Sequence, residues 1–122
     1  MQLELKKQSL ISSSSIQHSI INAHRDLYLE IIKNDELLKV FSSSVNMDKE
    51  EARQQMLATM LINHTLRIFL DYKNSMIENI NFENFAKDAA DLFSLPFVRS
   101  RWEEVKHFHP SSFRSYVDDK LL

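Results

Sequence analysis

The chain has 122 residues, 43% apolar and 26% charged, with a net charge of −2 at neutral pH. That is the profile of one globular domain with no whole-molecule field to draw in nucleic acid or an anionic membrane. Glycine and cysteine are both absent, which excludes the P-loop, the dinucleotide-binding turn, the G-x-S-x-G nucleophile elbow, disulfides and thiolate chemistry.

In chain order, the apolar spacing is helical throughout rather than alternating. A first helix is expected over residues 3 to 33, firm after the serine run Ser12 to Ser15. Its apolar face is predicted to comprise Ile16, Ile20, Ala23, Leu27, Tyr28, Ile31 and Ile32. Ser14, with Gln17 three residues later, is also placed to cap a helix there, leaving residues 1–14 as a helical or frayed arm and 15–122 as the single helical domain. The uncharged run between Gln8 and Arg25 holds too many serines, histidines and amides to span a bilayer. Asn34-Asp35 breaks the register, and Asp35 is expected to cap a short helix carrying Leu37, Leu38, Val40 and Phe41.

Residues Ser42 to Asn46 read as a linker, after which Asp48 and Glu51 have capping-box spacing. They open a long helix running to about Met76, apolar nearly all round and so expected at the centre. Asn79 to Asn81 form the next break, with Asn81 as the cap of a helix presenting Phe82, Phe85, Ala86, Ala89, Leu92 and Phe93 on one face. Ser94 and Pro96 suit the cap and first turn of a further helix ending near Phe108. His109-Pro110 stops that helix, and a last one presents Phe113, Tyr116, Val117 and Leu121. Asn34, Asn46 and Asn79 stand where left-handed residues would close helices in a chain without glycine. The fold expected is all-α, a compact bundle of five to six helices around the long helix at about 48–76.

Polar residues on apolar faces are the candidate site. His24 falls within the first helix's apolar arc, and Asn63, His64, Arg67 and Asp71 form one polar wedge on the long helix. Arg101 lies on the inner arc of the helix after Pro96, between Phe97, Val105 and Phe108. If His24, His64, Arg67, Asp71 and Arg101 converge, they make an internal pocket for a small polar or anionic ligand. If they pair among themselves, they make a buried structural network.

Other chemistries find less support. Glu104 and His107 form a single Glu-x-x-His pair, where bundle di-metal sites use that spacing twice, so no metal or other cofactor is expected. Arg99, Lys106 and Arg114 are diluted by Glu103, Glu104, Asp118 and Asp119, which disfavours nucleic acid. Trp102 sits on an apolar arc with Val98 and Val105, suiting a core role over base stacking.

The run Leu92-Phe93-x-x-Pro96-x-x-Arg99-x-x-Trp102 resembles the C-terminal signature of an uncharacterised family of small bacterial helical proteins, a domain of unknown function found in actinobacteria and cyanobacteria. Leu27-Tyr28-x-x-Ile31 leading to Asp35-x-x-Leu38-x-x-Phe41, and the tail Phe113 to Val117, resemble its other blocks. The resemblance spans about residues 20 to 118. It implies an all-α fold and no catalytic residues. Many members carry a membrane-spanning segment before the domain, where this chain has only its serine-rich arm.

The leading expectation is a cytoplasmic, non-enzymatic interaction or regulatory module, meeting a protein partner or a second copy through the N-terminal helix. Leu3, Leu5, Leu10 and Ile11 on the arm motivate it. A binding protein or enzyme with the His/Arg/Asp pocket is the alternative.

Overall fold

The computed structural model describes the backbone of residues 2–74 and 79–122, and the side chains of 15, 16, 18–74 and 81–122. Six α-helices occur among them: α1 (Gln2–Lys33), α2 (Asp35–Ser44), α3 (Lys49–Lys73), α4 (Asn79–Phe93), α5 (Pro96–Val105) and α6 (Ser111–Tyr116). A 3₁₀ turn, Lys106–Phe108, follows α5, and α6 continues as a π turn, Val117–Leu121. No strand occurs among the described residues. The fold is the expected helical bundle with α3 at its centre. α1 runs unbroken through Ser14 and Gln17, so no helix starts there, and α3 ends at Lys73 with Asn74 as its cap, short of the expected Met76. The arm side chains lie outside what is described.

Polar side chains set the helix boundaries. Asn34 alone separates α1 from α2. Its N–H donates back to the Glu30 carbonyl at 3.1 Å, and its side-chain oxygen accepts from the Glu36 and Leu37 N–H groups at 3.0 and 3.2 Å. The expected cap, Asp35, is instead the first helical residue, where its charge faces the positive end of the helix dipole. Asp48 caps α3 as expected, accepting from the Glu51 N–H at 2.7 Å.

Of the three asparagines expected to be left-handed, only Asn46 is, at φ 55°. It closes α2, letting the Met47 N–H reach the Ser42 carbonyl at 3.0 Å in a Schellman arrangement. Asn34 is extended at φ −110°, and Asn79 opens α4. Asn81 therefore lies inside the first turn of α4, a shift within the usual fuzziness of helix ends. Ser94 does not cap α5: its N–H still bonds the Ala90 carbonyl, so it belongs to the end of α4. Leu95 is the cap position and Pro96 supplies the first-turn residue.

The two flanks of α3 pack differently. On one, Ala58, Ile62 and Phe69 meet Phe82, Ala89 and Phe93 of α4, Val98 and Trp102 of α5, and Phe113, Val117 and Leu121 at the C-terminus. Aromatic geometry orders this core. Tyr72 stacks on Phe82 with centroids 3.9 Å apart, and Trp102 meets Phe93 and Phe113 edge-on at 5.7 and 5.6 Å. On the other flank α1 and α2 pack on α3 and on each other, with Leu38, Ala52 and Met56 buried.

His109 sits between Trp102 and Phe113 at 5.5 and 5.4 Å, and burial holds its pKa below the ordinary 6.5. An unfolded chain therefore binds this proton more readily than the native one, so stability is full above about pH 6.5 and is lost as pH falls. Thermal melts from pH 8 to 5 are expected to fall in midpoint below pH 6.5, with a shallower fall in His109→Phe, which keeps the ring and removes the titration.

Phe108, expected on the inner arc, is 79% exposed. The 3₁₀ turn advances about 120° per residue instead of 100° and rotates it outward.

Candidate functional site

The α1–α3 seam is the polar interface of the molecule, and it is antiparallel. His18 meets Asp71 at the middle of α1, Asn22 meets Arg67 one turn on, and towards the C-terminal end Leu29 and Ile32 line one groove with Met60 and Leu57. One half of the seam is therefore polar and the other apolar. The inward face of α1 carries His18, Ile21, Asn22, Tyr28, Leu29 and Ile32 as partly buried residues.

This corrects part of the expected face: Tyr28, Ile31 and Ile32 are partly buried as expected, and the other four are not. Ile16, Ile20 and Leu27 are 61%, 51% and 57% exposed, and Ala23 is exposed with them. At about 100° per residue these four fall within a 60° arc on the opposite side of α1. The helix is apolar on two faces, and α3 covers the one bearing Ile21, Leu29 and Ile32. His24 is consequently exposed, stacking loosely on Tyr28 at 6.3 Å.

The structure brings three of the five candidate residues, His24, His64 and Arg67, to one cleft in the polar half of the seam, together with Asn22, Arg25 and Asn63. Its cavity volume is about 30 Å³. That admits a couple of waters or the oxygens of one charged group, and not a whole metabolite. Arg67 is partly buried, and its Nη1 donates to the Asn22 side-chain oxygen at 3.3 Å. His64 stands at the mouth with its ring edge-on to Phe85 at 6.1 Å. Its pKa is lowered, first by burial and then by the positive charges of Arg67 and Arg25. A neutral imidazole between two guanidiniums is poised to accept or donate one hydrogen bond.

Asp71 lies one turn beyond Arg67, its Oδ1 2.8 Å from His18 Nε2. This pair is 25% and 14% exposed on its histidine and aspartate sides and ties α1 to α3 at the edge of the cleft. Two members of the α3 wedge, Arg67 and Asp71, thus reach across to α1.

Arg101 goes elsewhere. Its Nε donates to Thr59 Oγ1 at 3.0 Å and its Nη1 to Glu104 Oε2 at 3.1 Å, in a groove between α3 and α5. Both contacts are satisfied within the protein, and they give Arg101 the part of a strut between two helices. Among the described residues, no group of three or more His, Asp and Glu side chains is placed to hold a metal ion, and no helix is long and apolar enough to cross a membrane.

His18, Asn22 and Arg25 were missed as partners of the α3 wedge. Their spacing of four and three puts them on one stripe of α1. A polar stripe of that kind, paired with a polar wedge of similar length, is the available signal.

Residues 12–121 match the family of unknown function DUF6082. The chain belongs to that family. No curated protein and no solved structure matches it. The DUF6082 match covers all of the cleft, all of α3 and the whole aromatic core. Membership fixes the domain and leaves its activity to be argued from the side chains.

Proposed function

We propose that this DUF6082 domain is a non-enzymatic interaction module that self-associates through the outward face of α1. One observation carries the reading: Ile16, Ile20, Ala23 and Leu27 stand exposed on a helix whose opposite face is already packed. Their 4-3-4 spacing is that of a heptad seam, the pattern by which two helices bury a stripe against each other. At 1.5 Å per residue the stripe is roughly 17 Å long. That is short of the ~800 Å² per partner of a stable interface, so the pairing is weak unless residues 1–14 extend it. The same reading has residues 1–14 lengthen the seam between the two copies. A cytoplasmic and bacterial setting goes with it: the cysteine-free composition permits the first, and the resemblance around Leu92 to Trp102 supports the second.

The test is sedimentation equilibrium across a hundredfold concentration range. Ile20→Glu puts like charges face to face in a homodimer, on a side chain already half in water. It is expected to weaken association about tenfold or more with an unchanged circular dichroism spectrum. Removal of residues 1–14 should weaken it further. A parent chain that stays monomeric at high concentration, or an Ile20→Glu chain that dimerises equally well, would end the proposal.

A further inference from the structure

The cleft on the inward side of α1 has a charge pattern that self-association does not use. Arg67 is partly buried and offers five donors, and Asn22 is the partner its guanidinium meets. Among the described residues no carboxylate lies within ion-pair distance of it. Arg25, on the facing helix, has among the described residues one ion-pair contact, to the neighbouring Asp26 at 3.4 Å, with both side chains at least half exposed. A water-exposed contact of this kind is weak and easily exchanged. Arg101 makes the contrast: it has its hydroxyl and its carboxylate, and the groove beside it needs nothing more.

A half-buried guanidinium without a carboxylate is costly, and an arriving anion removes that cost while gaining a charge-assisted, bidentate contact. The neighbouring donors fit the same guest. Asn63 presents an amide into the cleft, and His24 and His64 present imidazoles on its two sides. We infer that this cleft binds the oxyanion end of a small molecule, a carboxylate or a phosphate, with Arg67 and Arg25 as its charge partners. The volume of about 30 Å³ admits only that end, so the remainder of the ligand lies outside, across the mouth formed by His24 and His64.

His64 reports on the event. The groups facing it are Arg67 from its own helix, Arg25 and His24 from α1, and the neutral ring of Phe85 from α4. An anion among them offsets the two positive charges and makes the imidazolium easier to form. Binding therefore moves the His64 titration midpoint to higher pH, and binding strengthens as pH falls through that midpoint.

The test titrates sodium phosphate, and separately sodium acetate, into the full chain at fixed ionic strength, following the His64 and His24 imidazole resonances. The expected result is a saturable shift of His64 with at least one anion and a midpoint displaced to higher pH. Arg67→Gln should weaken binding about tenfold or more, the loss of one charge-assisted contact. Arg99→Gln, which removes an exposed guanidinium outside the cleft, should bind as the parent does. Saturation by acetate supports a carboxylate guest, and saturation by phosphate alone supports a phosphate ester. If Arg67→Gln does not fold, Arg25→Gln reads the same loss from an exposed side chain. No saturable shift with either anion, or a folded Arg67→Gln that binds as the parent does, overturns the inference. The cleft and the outward stripe lie on opposite sides of α1, so the Ile20→Glu chain should bind as the parent whatever its oligomeric state.

Discussion

Trp102→Ala is expected to remove about 3–5 kcal/mol of stability, the range for deleting a large buried aromatic. For a domain of this size, with ~5–15 kcal/mol in total, that is about a fifth or more. Trp102 is fully buried, edge-on to Phe93 of α4 and Phe113 of α6, and close to His109. Its Nε1 donates to Asp118 Oδ1 at 3.1 Å, fastening α5 to the C-terminal turn. One side chain thus joins α4, α5 and α6. The contributions can be separated. Trp102→Phe keeps most of the ring and loses the hydrogen bond, while Asp118→Ala keeps the ring and leaves the indole N–H without this partner, at about 1 kcal/mol. Urea midpoints followed by circular dichroism should rank the losses Trp102→Ala, then Trp102→Phe, then Asp118→Ala. A loss below about 1 kcal/mol for the alanine variant would contradict the packing described.

That core was legible in the sequence, because α4 and α5 each carry a single apolar arc. Phe82, Ala89, Phe93, Val98 and Trp102 have nowhere else to point, and all are buried. The Asp48 cap was legible for a similar reason: an aspartate three residues before a glutamate, at the head of a long apolar run, has one local use. The helix after Asn34 was harder. Asn34 and Asp35 are both good caps, and the choice falls to Asn34, whose backbone N–H closes α1 while its side chain opens α2.

The face of α1 was not legible. Apolar residues surround that helix on two sides, and propensity and periodicity are blind to which side a neighbour will cover. What settles it is α3, whose polar wedge at Asn63, His64 and Arg67 needs polar partners and finds them at His18, Asn22 and Arg25 on the other side of α1 from Ile16 and Ile20. His64 and Arg67 could be nominated from α3 alone. Their meeting with His24, and the departure of Arg101 to Thr59, depend on distances between helices that no spacing along one chain encodes.

Ala58→Leu is expected to cost about 1–3 kcal/mol, the usual penalty for forcing extra methylenes into a filled core. Ala58 is fully buried in the cluster that holds Val98 and Trp102, where α3 and α5 meet. A leucine there must push the helices apart or adopt a poor rotamer, and the adjacent Arg101–Thr59 bond at 3.0 Å is the first contact to stretch. By helical geometry Ala58 and the Arg67 cleft occupy opposite flanks of α3. The variant should therefore lower the urea midpoint while His64 keeps its titration and its response to phosphate or acetate. Arg67→Gln should do the reverse, weakening the response about tenfold or more at little cost to stability, since it removes a half-buried charge along with its amide contact to Asn22. If Ala58→Leu also erased the His64 response, the two flanks of α3 would be mechanically coupled. The central helix would then transmit strain from the aromatic core to the cleft, instead of holding the cleft on a rigid support.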